Sequence, residues 1–442
     1  MVYLMAKYDK VATTFTKGDE MKVRALSLSL LTVAGSLFLT SPQIRAANAP
    51  VAKAPFPYVY AKAFHIPTET TTEESGYFSL CEGLNSKIYI GTAKYNFNAF
   101  LMEFDPKTEK QRIVLDTDKL CGLTNTGYAA QAKIHTRNFV GPSGKIYVGS
   151  KQGYRTGSDK TEYPGGYLMI YDPKTDSSTN LGMPYPGQGL IDTVADEERG
   201  LIYIVTCEDQ HWMLYNIQTG KYRELGPLLV SYATTLIDPQ GRAHVLTRDF
   251  QLATYDPATD KVSLRDITLG SRKLTQEDFL KVPPTWILNA DKTSAYFVRM
   301  TDPALWSINL AGNGPTTARE LCRLIEGKGY DSRCALTLGP DGRVYSVFRV
   351  DNTTGFGGGY LHHLLRYSPK NNQTEDLGVL AVKNPDYYDF KAKKPWSHGF
   401  HNLPDGTLTP LHNHMALIVA KDGTIYVTII YPFTLLRIDP IK

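Results

Sequence analysis

The sequence predicts an all-β fold, a seven-bladed β-propeller of four-stranded antiparallel blades. Three observations predict it. One hairpin phrase returns along the chain, a second hairpin phrase follows it, and the two alternate in order. A unit of two hairpins cannot bury both faces of its own sheet, and radial packing of such units does so. A β-sandwich also uses many short strands. It gives no reason for one two-hairpin phrase to recur in sequence.

The first phrase is clearest at 130–150, AQAKIHTRNFVGPSGKIYVGS. An apolar strand meets a Gly-Pro-Ser-Gly turn and a second strand returns. It recurs as YFSLCEGLNSKIYIG and as NHMALIVAKDGTIYVT. Weaker copies are LIDTVADEERGLIYIVT, YATTLIDPQGRAHVL, PTWILNADKTSAYFV and RCALTLGPDGRVYSVF, which makes seven. The second phrase is LMEFDPKTEKQRIVL at 101–115, LMIYDPKTDSSTNLG at 168–182 and QLATYDPATDKVSLR at 251–265. MLYNIQTGKYRELG and LLRYSPKNNQTEDLG are looser forms. Asp-Pro-Lys-Thr is a tight turn, because Asp accepts bonds from the following backbone and Pro presets φ.

The last unit stops after three strands, near 413–419, 424–430 and 434–439. FPYVYAKAFHI, at 56–66, is strand-like and otherwise unassigned. This N-terminal strand is expected to complete the last blade and close the ring. Two insertions, 152–166 and 381–410, are rich in aromatic, His and charged residues. Long loops of that composition are expected to wall a site.

Ahead of the repeats, Met21-Lys22-Val23-Arg24 is basic, 25–40 is apolar, and Ala47-Asn48-Ala49 is a small-x-small cleavage pattern. Residues 1–49 therefore read as an upstream extension and a signal peptide, and 50–442 as a single propeller domain. The apolar run is short for a membrane span. The expected location is secreted or periplasmic, with no membrane partner. A net charge of +4 is too mild to argue for nucleic acid. The five cysteines are odd in number and form no CxxC pair.

In a propeller, the starts of the inner strands and the loops after the second strands share one end. Ten residues upstream of the residue before Ile-Tyr, or its equivalent, stand Tyr77, His135, Tyr232, Arg333 and His414. The loops add Tyr95, Gln152, Tyr154, Arg155, His211 and Arg248, and Arg137 lies two residues past His135. Such a set suits an anionic substrate with exchangeable protons. Arg forks onto a carboxylate, His exchanges a proton near neutrality, and Tyr donates to an oxygen leaving group. The chain has no Gly-rich phosphate loop, no G-x-S-x-G and no H-E-x-x-H. Glu208, Asp209 and Asp192 are the carboxylates near this end, with no facing pair of the glycosidase kind. The His, Tyr and Arg set fits β-elimination better. Cys334 with His362, His363, His398, His401, His412 and His414 offers soft and imidazole ligands. Cys334, His401 and His414 are the expected ligands of a zinc or calcium ion.

The stretches GYFSLCEG…KIYIGTAKY and AAQAKIHTR…GKIYVGSKQGY…YPGGYLMIYDPKT resemble the propeller polysaccharide lyases, especially the ulvan lyase families. The resemblance implies a seven-bladed propeller acting by β-elimination on a uronic acid glycan, ulvan-like or of rhamnose–glucuronate type, with a metal of structural role. His135 would be the base or would neutralise the acidic sugar. Tyr232, or else Tyr154, would be the acid, with His211 nearby. Arg248, Arg155 and Arg137 would clamp the carboxylate. Tyr77, Tyr95, Gln152 and Arg333 would bind substrate. Where those lyases carry a further His, this chain has Gln152-Gly153-Tyr154-Arg155. The expected partner is an acidic polysaccharide or oligosaccharide, and the chain a monomer. The alternatives are a non-catalytic glycan- or protein-binding propeller and a glycoside hydrolase with loop-borne carboxylates.

Overall fold

Short β-branched and aromatic runs, each cut by a turn whose Asp side chain folds back on the backbone, dictate antiparallel strands. In the computed structural model, residues 52–441 are described, apart from 73–74, 280–283, 333, 384–387, 390–393 and 396–399. Asp105, Asp172 and Asp256 each accept a backbone N–H two residues on, at 2.9 Å. Four residues past each of them, Glu109, Asp176 and Asp260 take positive φ, as the turn requires.

Among the described residues, the strands make one large sheet, five smaller ones of four to six strands and one of two short strands. The first sheet is Gly76–Glu82, Ile88–Thr92, Phe100–Asp105 and Lys110–Asp116. The second adds a strand, because its inner strand is split into Lys133–Ile134 and Phe139–Val140, both paired with Ile146–Lys151. The third is Leu190–Asp196, Leu201–Thr206, Trp212–Asn216 and Lys221–Glu224. The fourth has six strands, with Thr316–Thr317 lying parallel on Lys261–Leu269. The fifth runs from Pro284–Leu288 to Arg319–Arg323.

The large sheet corrects the expected single ring of seven four-stranded blades. It has ten strands, eight of them in one path. The cause is Tyr58–His65. It pairs antiparallel with Thr434–Ile438, but it does not end a blade there. Its other edge pairs parallel with Gln373–Val382, from Tyr58↔Val379 to Ala61↔Val382. Both rows of backbone groups are thus satisfied, and two repeat units become one sheet. The ends of the path, Leu336–Leu338 and His414–Val419, pack on each other, so the path nearly closes like a barrel beside five propeller-type sheets.

The core lies between sheet faces. Trp212, Tyr203, Phe104 and Phe433 are fully buried in one continuous cluster. The glycines of KIYIG and KIYVG let neighbouring sheets approach. A Cβ on Gly91 would lie 2.7 Å from Ile134, and one on Gly149 would lie 2.8 Å from Leu190. Among the described residues, no helix is long and apolar enough to cross a membrane.

Candidate functional site

The second sheet's inner strand breaks at 135–138, and the break aims side chains away from the ladder. Ser79 Oγ donates to the carbonyls of Ile134 and Thr136, at 2.8 and 2.5 Å. Thr136 Oγ1 accepts from the Gly149 N–H at 2.8 Å. The Arg137 backbone makes an isolated parallel bridge to Asp192 of the third sheet. Its guanidinium donates to the Trp286 carbonyl at 3.3 Å and reaches Cys334 Sγ at 3.5 Å. Its backbone thus meets the third sheet, and its side chain reaches the fifth at Trp286 and the turn at Cys334.

Three residues of the expected register do meet. Tyr77 packs on His135 with ring centroids 4.5 Å apart, and Tyr232 lies 6.1 Å from His135. Phe78 touches both His135 and Tyr232. Tyr232 is held in the left-handed region at φ 60°, which costs about 1–2 kcal/mol for a residue with a Cβ. Arg333 lies outside the described residues. His414 packs on His362 instead, with centroids 5.3 Å apart.

A tyrosine cluster extends from Tyr77. Its hydroxyl lies 2.8 Å from that of Tyr95 and 2.9 Å from that of Tyr154. Tyr95 and Tyr154 stack at 5.2 Å. Lys133 sits among them, its ammonium 4.5, 5.1 and 4.3 Å from the ring centroids of Tyr77, Tyr95 and Tyr154. It donates to the Tyr77 hydroxyl at 3.1 Å. Lys133 is 2% exposed, and Tyr154 is 51% exposed. The motif reading missed Lys133. Its signal was a cation in the run AAQAKIH, two residues before His135 and on the same face.

The remaining predicted residues are held by neighbours of their own. Gln152 donates to Glu208 at 2.9 Å and to the Tyr128 hydroxyl at 3.4 Å. Lys151 pairs with the same Glu208. Burial opposes its charge, but Cys207 and Glu208 outweigh burial and raise its pKa. Arg155 pairs with Glu162 and lies over the Tyr128 ring. Arg248 donates to the Asp209 carbonyl at 2.9 Å. His211 bonds Glu224 at 2.7 Å and stacks on Tyr185.

This geometry overturns the lyase chemistry. An elimination needs a base and an acid that reach the substrate. His135 is 1% exposed. Burial first, and then Lys133 and Lys151, hold its pKa well below the ordinary value, so it stays a neutral interior ring. Burial, then Tyr95 and Tyr154, push the Tyr77 pKa well up, so Tyr77 keeps its proton. Arg248, Arg155 and His211 are each bonded to a neighbour of their own. The expected metal centre is corrected too. Cys334 lies by Arg137, His414 by His362, and His401 against Gly359, where a Cβ would be 2.6 Å from its ring. Among the described residues, no group of three or more His, Cys, Asp or Glu can hold a metal ion.

No protein-family model and no curated protein matches the chain. Two similar solved structures are extracellular domains and are not described as lyases. One is the extracellular domain of a B. thetaiotaomicron one component system, at 11% identity, covering 86% of this chain and 40% of that one, with a TM-score of 0.52. Another is the same extracellular domain described as that of a hybrid two component system, at 11% identity, 86% and 40% coverage and a TM-score of 0.51. The chain spans about 40% of the length of these two structures. The likeness is one of fold. The assignment to polysaccharide lyases, with its ulvan and uronic acid specificity, is thus corrected by the comparisons as well as by the buried His135.

Proposed function

We propose that the chain is a non-catalytic binding domain that takes an acidic glycan at the mouth built by Tyr77, Tyr95, Tyr154 and Lys133. The observation that carries this is the ammonium of Lys133 buried among three tyrosine rings whose hydroxyls touch. An ammonium only donates, so the Tyr77 oxygen accepts from Lys133. Tyr77 must then pass its own hydrogen to Tyr95 or Tyr154. The ammonium of Lys133 attracts an anion, and the exposed Tyr154 ring gives a sugar a face to stack on. The signal-like segment at 21–49 and the fold shared with an extracellular domain support an exported location, where such glycans are met.

The test is calorimetry with carboxymethyl-dextran, dextran sulfate and plain dextran. We expect binding to the anionic polymers only, with unchanged polymer length after long incubation. Lys133→Met and Tyr154→Ala should each weaken binding at least tenfold while circular dichroism stays native. Shortening of a polymer would restore a catalytic reading. Equal affinity for plain dextran would sink this one.

A further inference from the structure

We infer that residues 154–162 are a lid over the mouth, which lifts to bare Lys133. The inference rests on the mouth being the binding site, and it names how that site is entered. Lys133 is 2% exposed, so an anion arriving from solvent cannot touch its ammonium in this arrangement. Three rings surround the ammonium, at 4.5, 5.1 and 4.3 Å for Tyr77, Tyr95 and Tyr154. Tyr77 lies in the strand Gly76–Glu82. Tyr95 is 8% exposed, and its backbone N–H donates to Thr72 Oγ1. Tyr154 is 51% exposed and belongs to no strand, standing between Ile146–Lys151 and Leu168–Asp172. It is the ring that can leave.

The roots of the segment are fixed. Gln152 is buried and donates to Glu208 at 2.9 Å, and Tyr163 is buried and donates to Gln131 at 2.7 Å. Between them every residue from 154 to 162 is exposed except Asp159, which is half-buried. Gly153 joins the first root to Tyr154, and a residue with no Cβ turns most easily about its backbone. The middle is one compact piece. Asp159 accepts the N–H and the hydroxyl of Thr156, at 2.6 and 2.8 Å, and Arg155 pairs with Glu162. This piece is latched outside the mouth. Asp159 also accepts the Tyr128 N–H at 3.1 Å, and Arg155 lies 4.5 Å from the Tyr128 ring centroid. Water reaches this latch from the exposed side and replaces a lost partner, so it opens readily.

A lid of this kind sets rates. The latch lies apart from the mouth, so it forms in the empty and the bound protein alike. Weakening it speeds entry and exit together and leaves affinity in place. Removing the Tyr154 ring acts differently. It opens the way to Lys133 and takes away the stacking face, so entry quickens while affinity falls.

Two measurements test the lid. The first needs no ligand. Acetic anhydride labels lysine amines, and mass spectrometry reads Lys133 against the exposed Lys174. In the wild-type chain Lys133 should label about tenfold more slowly than Lys174. Asp159→Ala and Tyr154→Ala should each raise the Lys133 rate severalfold and leave Lys174 unchanged, with native circular dichroism. The second is stopped-flow mixing with a short carboxymethyl-dextran oligosaccharide. Asp159→Ala should raise the association and dissociation rate constants together, by about threefold, with Kd within about twofold. Tyr154→Ala should raise the association rate constant and weaken Kd. A Lys133 labelling rate that neither variant changes would overturn the lid. So would an Asp159→Ala protein that associates at the wild-type rate. Labelling that responds to both variants, in a chain that binds no oligosaccharide, would sink the mouth as a binding site and leave the lid standing.

Discussion

The tyrosines at the two ends of the strands are used differently. At the turn end, four hydroxyls donate to carboxylates. Tyr89 bonds Glu103 at 2.9 Å, Tyr147 bonds Glu197 at 2.7 Å, Tyr171 bonds Asp176 at 2.7 Å, and Tyr255 bonds Asp260 at 2.8 Å. At the mouth, Tyr77, Tyr95 and Tyr154 bond one another around Lys133. The first group sits inside the repeated phrases KIYIG, KIYVG, MIYDP and ATYDP. Of the second, Tyr95 and Tyr154 lie in the loops after the repeated strands and Tyr77 opens a repeated phrase. Tyrosines of one group latch turns, and those of the other gather around a cation.

The largest expected effect comes from breaking a latch. Glu103 is buried and receives Tyr89, Lys87 and Arg112. Glu103→Ala should cost about 3–5 kcal/mol, because three donors lose a buried acceptor. Urea unfolding measures it, and Tyr154→Ala in the same assay should stay within about 0.5 kcal/mol. Equal costs at the two positions would erase the contrast.

Acid and base should act oppositely on the two ends. Asp238, bonded by His244 and Arg242, is held down to about 2 against the opposing pull of burial. Its folded pKa is depressed, so its stabilisation is present above about pH 4 and is lost as pH falls toward 2. Asp192, beside Arg137, is fully buried, and burial pushes it up to about 6. Its folded pKa is raised, so its contribution is present below about pH 4 and fades as pH rises through 6. Each is worth about 2–3 kcal/mol. Unfolding free energies of Asp238→Asn and Asp192→Asn should approach wild-type pH slopes outside those windows and flatten within them. A smaller effect is expected from Tyr147→Phe, about 1 kcal/mol for one lost bond to Glu197. Tyr154→Phe should move stability by a few tenths.

The hairpins, their Asp turns and the meeting of Tyr77, His135 and Tyr232 were legible from repeat spacing alone, because a fixed phrase puts equivalent residues at equivalent heights. Pairing partners were not. A periodic apolar run such as 56–66 shows a strand but not that both its edges are used, so the merging of the last two units stayed hidden. Side-chain engagement was equally invisible. Arg248, His211 and Arg155 have the residue types of a clamp, yet Asp209, Glu224 and Glu162 hold them. His135 has the chemistry of a base and the burial of a core residue. Composition supplies the type, and only packing decides the use.

Tyr58–His65 has its two strand partners at 373–382 and 434–438. During translation this segment emerges from the ribosome more than three hundred residues before either partner. Its backbone groups stay hydrated until the far end of the polypeptide arrives, so the large sheet cannot be completed on a nascent chain. The strands at 373–382 and 434–438 therefore decide when this sheet closes.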